Sequence, residues 1–192
     1  MLAQDLLVVI AAYLVGSFSS AILISRLLSS LDPRNFGSNN AGATNVLRLH
    51  GKLPALLTLV IDVAKGFVPV FVAIYYEYSL VTVSLSAVSV CLGHVFPLYF
   101  EFRGGKGVAT ALGALIALEP SLALCCFAIW LAVFLIFRVS SMAALTALIC
   151  APLVSLWLAP KYVIATTGLA CLIIWRHRGN ISRLVKGTEK RM

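Results

Sequence analysis

Three groups of residues in this chain have types and spacings suited to holding phosphate. The first is the stretch from Gly37 to Arg48, which carries Ser38, Asn39, Asn40, Thr44 and Asn45 between two glycines and a closing arginine. Such a segment supplies backbone N–H groups, short adaptable donors and one fixed positive fork, the parts an anion-binding concavity needs. The second is Gly104-Gly105-Lys106-Gly107, directly ahead of an apolar helical run. Glycines there can present N–H groups and the positive end of a helix to an anion, and Lys106 adds a mobile charge. The spacing of a Walker A loop is absent, and alone the segment is equally a flexible turn with a snorkelling lysine. The third is His177 with Asn180, three residues apart and on one face if the helix continues through them.

Other polar residues carry less. Asp62 and Lys65 lie three apart inside a long apolar run, far from the flanking charges Lys52 and Glu77. An unpaired charge near mid-membrane is costly, so this pair reads as a self-satisfying lock between helices or as support for the first loop. His94, ahead of Phe96-Pro97, reads as a structural hydrogen bonder at a helix end, and His50 has no chemical company. The five cysteines all fall within apolar runs and read as small buried hydrophobes.

The elements that must position these groups follow from composition. The chain has 192 residues, of which 61% are hydrophobic and 11% charged, and its mean hydropathy is +1.01. A soluble domain of this length cannot bury so much apolar side chain, so an all-α polytopic membrane protein is expected, with one domain over 1–192. The net charge of +8 is then read through its distribution along the spans and not as a nucleic-acid surface. Lacking a basic region and a small-residue cleavage site, the first apolar run is expected to persist as a span.

Apolar runs predict helices near 4–28, 53–76, 79–99, 107–118, 121–137, 142–159 and 161–176. Glu119-Pro120 breaks the run from Gly107 to Phe137 into two short spans or a re-entrant pair. Positive residues prefer the cytoplasmic side, and Lys106 and Arg138 flank that run, which must therefore return to the side it left. Applied throughout, the rule predicts seven spans, the fourth and fifth short, with the N-terminus outside and the C-terminus in the cytoplasm. The loop at 29–52, the glycine-lysine turn, the Arg138–Ser141 turn and the His177 tail then share the cytoplasmic face. Within 107–118 the small residues Ala109, Gly113 and Ala117 repeat every four positions, which reads as close helix packing.

Taken together and in this order, these motifs resemble the bacterial acyl-phosphate-dependent glycerol-3-phosphate acyltransferase family. The resemblance covers essentially the whole chain. It rests on the loop ending in Thr44-Asn45-Val46-x-Arg48, on Asp62-x-x-Lys65-Gly66, on Gly93-His94-x-Phe96-Pro97, on Gly104-Gly105-Lys106-Gly107-Val108-Ala109-Thr110, and on His177-Arg178-x-Asn180-Ile181-x-Arg183-Leu184. Asn39 stands where the family often has glycine and Arg103 where it often has lysine; asparagine is the residue after glycine that best tolerates positive φ.

The resemblance implies transfer of a fatty acyl group from acyl phosphate to the 1-hydroxyl of sn-glycerol 3-phosphate. The products would be lysophosphatidic acid and phosphate, formed at the cytoplasmic face of the bacterial inner membrane. Both substrates are anionic phosphates, so several cations and N–H donors must converge. Acyl phosphate is a mixed anhydride with a good leaving group, so neither a covalent intermediate nor a metal or other cofactor is expected. The His-x4-Asp pattern of other acyltransferases is absent. On this reading Ser38, His177 and Asn180 are the catalytic candidates. Thr44, Asn45, Arg48, Gly104, Gly105, Lys106 and Ser140 bind phosphate, and Asp62 and Lys65 support them. The partners are the two substrates and the lipid bilayer, with no nucleic acid, and the enzyme is expected to function as a monomer. The competing class is a membrane transporter for an anionic phosphate-containing metabolite. It would favour a midplane site and inverted halves, and no repeat is visible.

Overall fold

The structure, a computed structural model, describes residues 3–28 and 31–191; the first two positions of the 29–52 loop, which include part of the stretch after the first predicted span, lie outside them. Among the described residues there are α-helices and short 3-10 turns and no strand. The order is α1 (Ala3–Gly16), α2 (Ser20–Leu27), α3 (Ala43–His50), α4 (Lys52–Tyr75) and α5 (Leu80–Val95), then α6 (Val108–Leu118), α7 (Pro120–Phe137), α8 (Ser140–Leu158), α9 (Val163–Arg176) and α10 (Arg178–Val185).

Five stretches are long and apolar enough to cross a membrane: Ala3–Leu27, Lys52–Tyr75, Leu80–Phe100, Pro120–Phe137 and Ser140–Leu158, counted among the described residues. α6, with 11 residues, spans only about 16 Å at 1.5 Å per residue, well under a hydrocarbon core of about 30 Å. Large apolar side chains such as Leu124, Ile136, Leu153, Trp157 and Ile164 point outward. In water they would be a liability; against lipid tails they are the expected surface.

Helices approach closely where glycine permits. A Cβ at Gly66 of α4 would collide with the Thr110 backbone of α6, and one at Gly113 of α6 with the Val63 backbone of α4. Gly16 of α1 and Gly93 of α5 are matched in the same reciprocal way. These contacts lock α4 to α6 and α1 to α5 through backbone and small side chains, the packing that membrane interiors rely on. Gly113 therefore packs as expected, whereas Ala109 of the same small-residue series borders a cavity.

The first predicted helix, 4–28, is interrupted. Ser17 donates its hydroxyl to the Tyr13 carbonyl, α1 stops at Gly16, and α2 restarts at Ser20. The break frees the Phe18 carbonyl to accept from Lys65 Nζ at 2.8 Å. Lys65 Nζ also pairs with Asp62 Oδ1 at 2.8 Å, and Ser20 Oγ donates to the same carboxylate oxygen at 2.8 Å. The deep charges thus satisfy one another and pin α4 to the interruption between α1 and α2.

Candidate active site

The loop after α2 is organised by one side chain. Asn45, fully buried, accepts the Ser38 N–H at 2.8 Å and donates to the carbonyls of Pro33 at 2.8 Å and Phe36 at 3.0 Å. Its amide is used in shaping the loop, and it does not border the cavity. Asn39 sits at φ +54°, the left-handed conformation that its short amide tolerates. Thr44 and Arg48, one turn apart on α3, project with Ser38 into the same space.

The glycine-lysine turn differs from its expected use. The N–H groups of Gly104 and Gly105 donate to the carbonyls of Val95 and His94, both at 3.2 Å. Their own carbonyls accept from Arg176, Nη2 to Gly104 at 3.2 Å and Nε to Gly105 at 3.1 Å. A Cβ on Gly105 would run into His94 Nε2 and the Ala41 carbonyl. Both peptide units are committed within the fold, so their N–H groups are not free for a ligand. What reaches the cavity is Lys106 and Gly107, with the first residues of α6; Gly107 turns the chain into that helix at φ +87°. The positive end of α6 and the Lys106 ammonium therefore face one point.

The opposite wall comes from the start of α8 and from the α9–α10 junction. α9 ends at Arg176 and α10 begins at Arg178, yet the Ile181 N–H still bonds the His177 carbonyl at 2.9 Å. His177 and Asn180 stay together despite the break, both buried and both bordering the cavity with Ser140. His177 Nδ1 lies 2.8 Å from the Ile173 carbonyl. A carbonyl only accepts, so Nδ1 carries the hydrogen and Nε2 keeps its lone pair. Burial, aided by the nearby Lys106 charge, pushes the His177 pKa down to about 4. Burial likewise lowers Lys106, to about 8.

One participant is absent from the sequence-based candidates. Glu189 folds back so that its carboxylate accepts from Ser141 Oγ at 2.6 Å, from Asn180 Nδ2 and from Arg183 Nε. Burial alone would raise its pKa; these three hydrogen bonds outweigh burial and hold it below the usual range. The signal was a lone acid in a tail bearing Arg183, Lys186, Lys190 and Arg191. Arg176, which braces the glycine turn from behind, was equally invisible as a working part, whereas His94, read as a structural hydrogen bonder, accepts the Gly105 N–H at its carbonyl.

These walls enclose a cavity of about 570 Å³. One end gathers Arg48, Lys106, His177, Asn180, Arg183 and Glu189; the other is apolar, with Leu112 and Leu115 of α6, Phe127 and Trp130 of α7, and Ala147 and Ala151 of α8. Ser140 and Ala151 mark its two ends along α8, about 16 Å apart by helical rise. Asp62 touches this cavity, but Lys65 does not.

A multi-pass membrane protein with a charged pocket opening into an apolar groove belongs to the class that handles amphiphilic substrates. The glycerol-3-phosphate acyltransferase family model matches residues 6–187. A glycerol-3-phosphate acyltransferase of Idiomarina loihiensis is 51% identical over 190 residues, 99% of this chain and 97% of that protein. One from Shewanella baltica is 46% identical over 191 residues, 100% of this chain and 94% of that protein. The crystal structure of PlsY, an integral membrane glycerol 3-phosphate acyltransferase, in its glycerol 3-phosphate form superposes with TM-score 0.93 at 41% identity, covering 99% of this chain and 96% of that one. Its lysophosphatidic acid form gives 0.91 at 40% identity, with the same coverage. The chain belongs to the glycerol-3-phosphate acyltransferase family.

Proposed function

We propose that this protein transfers an acyl group from acyl phosphate to the 1-hydroxyl of glycerol 3-phosphate, releasing lysophosphatidate and phosphate. The observation that carries the reading is one continuous cavity, cationic at one end and apolar at the other, such as two phosphates and an acyl chain require. The family and the two ligand forms of its crystallised relative supply the substrate class.

Arg48, Lys106 and the positive end of α6 hold acyl phosphate and stabilise the departing phosphate, with Ser38 and Thr44 as short donors. Asn45, Gly104 and Gly105 act indirectly, by shaping the loops that carry these groups. His177, Asn180 and Ser140 position glycerol 3-phosphate. Its hydroxyl oxygen attacks the acyl carbon, the new C–O bond forms, the acyl–phosphate C–O bond breaks, and the leaving phosphate takes the electron pair. His177 Nε2, with its lone pair free, accepts a hydrogen bond from the 2-hydroxyl of glycerol 3-phosphate and so orients the substrate. A phosphomonoester oxygen, whose second pKa is about 6, is carried by the substrate itself and is a base suited to neutral pH. The proton therefore passes to a substrate phosphate oxygen. Asp62 and Lys65, paired at 2.8 Å, support the site from below.

The same reading has one domain acting as a monomer, seven spans, the N-terminus outside, and the site facing the cytoplasm at the inner membrane. Of the fourth and fifth spans, both expected to be short, α6 is short, whereas α7 with 18 residues is long enough to cross. Purified protein given palmitoyl phosphate and radiolabelled glycerol 3-phosphate should form lysophosphatidate, whereas acyl-CoA and acyl-carrier-protein donors should not substitute. Uptake of label into sealed vesicles without product would support the transporter instead.

A further inference from the structure

A second cavity lies behind the glycine-lysine turn and, among the described residues, shares Asn39 with the lining of the acyl-transfer cavity. It measures about 220 Å³ and is walled by Arg34, Arg103, Arg176 and Arg178, with Asn39 and the aromatic rings of Phe96, Phe102 and Trp175. Nothing in the acyl-transfer mechanism uses Arg34, Arg103 or Arg178.

The four arginines are differently engaged. Arg34 is held by Asp32 at 2.9 Å and by the Phe100 carbonyl at 3.1 Å, with Glu101 at 3.5 Å. Arg176 spends two N–H groups on the carbonyls of Gly104 and Gly105, leaving the rest of its five unspent. The guanidinium of Arg178 lies 4.6 Å from the centroid of the Trp175 ring. Arg103 has no carboxylate or carbonyl partner among the described residues. Two acids thus face four cations, and one of them, Glu101, is largely exposed to solvent. Like charges gathered around one concavity repel unless an anion joins them, and guanidinium forks match phosphate oxygens in pairs.

We infer that this arginine-walled cavity, none of whose four arginines lines the acyl-transfer cavity, is a second binding site for an organic phosphate. Two features favour an organic phosphate over a bare anion. The cavity has more room than a phosphate group alone fills, and its aromatic side gives an apolar bed to whatever the phosphate carries. Trp175 and Phe102, both about half exposed, also suit a position where water meets lipid. The shared chemistry, a phosphate ester, has two sources: a soluble metabolite or the headgroup of an anionic lipid. Arg176 is common to this wall and to the clamp on the glycine turn, so occupancy lies one residue from the Lys106 segment.

The test reads Trp175 fluorescence in protein whose Trp130 and Trp157 are replaced by Phe, reconstituted in phosphatidylcholine nanodiscs. One arm titrates glycerol 2-phosphate, a soluble phosphomonoester with a different attachment point from the substrate; the other raises the phosphatidate content of the disc. Saturable quenching or enhancement in either arm is expected, and which arm responds names the source. It should weaken about tenfold or more in Arg103→Gln and further in Arg103→Gln/Arg178→Gln, since each lost charge-assisted bond is worth that much. It should persist in Arg48→Lys, whose lesion lies in the other cavity. Both substituted arginines are exposed, so these variants should fold, and an unchanged melting temperature checks it. No saturable response in either arm, a response indifferent to Arg103 and Arg178, or one abolished by Arg48→Lys overturns the proposal.

Discussion

At the scale of single residues, charge type and protonation decide what the site can do. Arg48 offers a planar fork, which a lysine's point charge does not reproduce. Arg48→Lys should lower kcat/KM about a hundredfold, the usual cost of losing one transition-state donor; near-normal turnover would remove Arg48 from the phosphate site. Lys106 works as a cation, and its pKa is lowered to about 8. In the free enzyme kcat/KM should therefore fall as pH rises through about 8, where an ordinary lysine would still be charged. Lys106→Arg should move that limb upward, because guanidinium stays protonated. Glu189→Gln should move it downward, because the Glu189 charge favours protonated Lys106. A limb that ignores both substitutions would assign the titration elsewhere. His177, neutral well below the working range, should lose rate when replaced by Asn while the profile above about pH 6 keeps its shape.

At the scale of elements, apolar runs were enough to predict the helices, since lipid demands long uninterrupted hydrophobic stretches. They did not reveal the interruption at Ser17–Ser19, because small hydroxyl residues barely lower hydropathy; what stops α1 there is a carbonyl that Lys65, 47 positions away, requires. Nor did they reveal α3 or α10, whose short polar sequences carry no spanning signal. The site's residue types were legible, but how each one's hydrogen bonds are spent was not. Gly104 and Gly105 look like phosphate donors until Arg176, His94 and Val95 are seen to occupy their peptide groups, and those partners are near in space rather than in sequence. Asn45 is the same case. The glycine turn's tightness gives its own prediction. Gly105→Ala should destabilise the protein by about 1–3 kcal/mol through overpacking against His94 and Ala41. It should also raise KM as Lys106 shifts. An unchanged melting temperature and KM would show the turn to be slack.

At the scale of the whole molecule, the bundle solves a partition problem. Under the proposed function one substrate part belongs in lipid and the other in water, and the cavity runs along α8 from Ser140 to Ala151, cationic at one end and apolar at the other. On the proposed orientation, a cysteine placed at Lys161 should be labelled by an impermeant reagent from the opposite face to one placed at Arg138. Labelling of both from one face would contradict the seven-span arrangement. The central claim, that the acyl chain lies in the apolar end of the same cavity whose cationic end performs the transfer, is tested most directly by chain-length discrimination. Ala147→Leu adds bulk midway along the groove. With purified protein and a series of acyl phosphates, kcat/KM should fall steeply for palmitoyl phosphate while octanoyl phosphate is nearly unaffected. An equal fall for both donors, or none for either, would mean that the chain lies elsewhere.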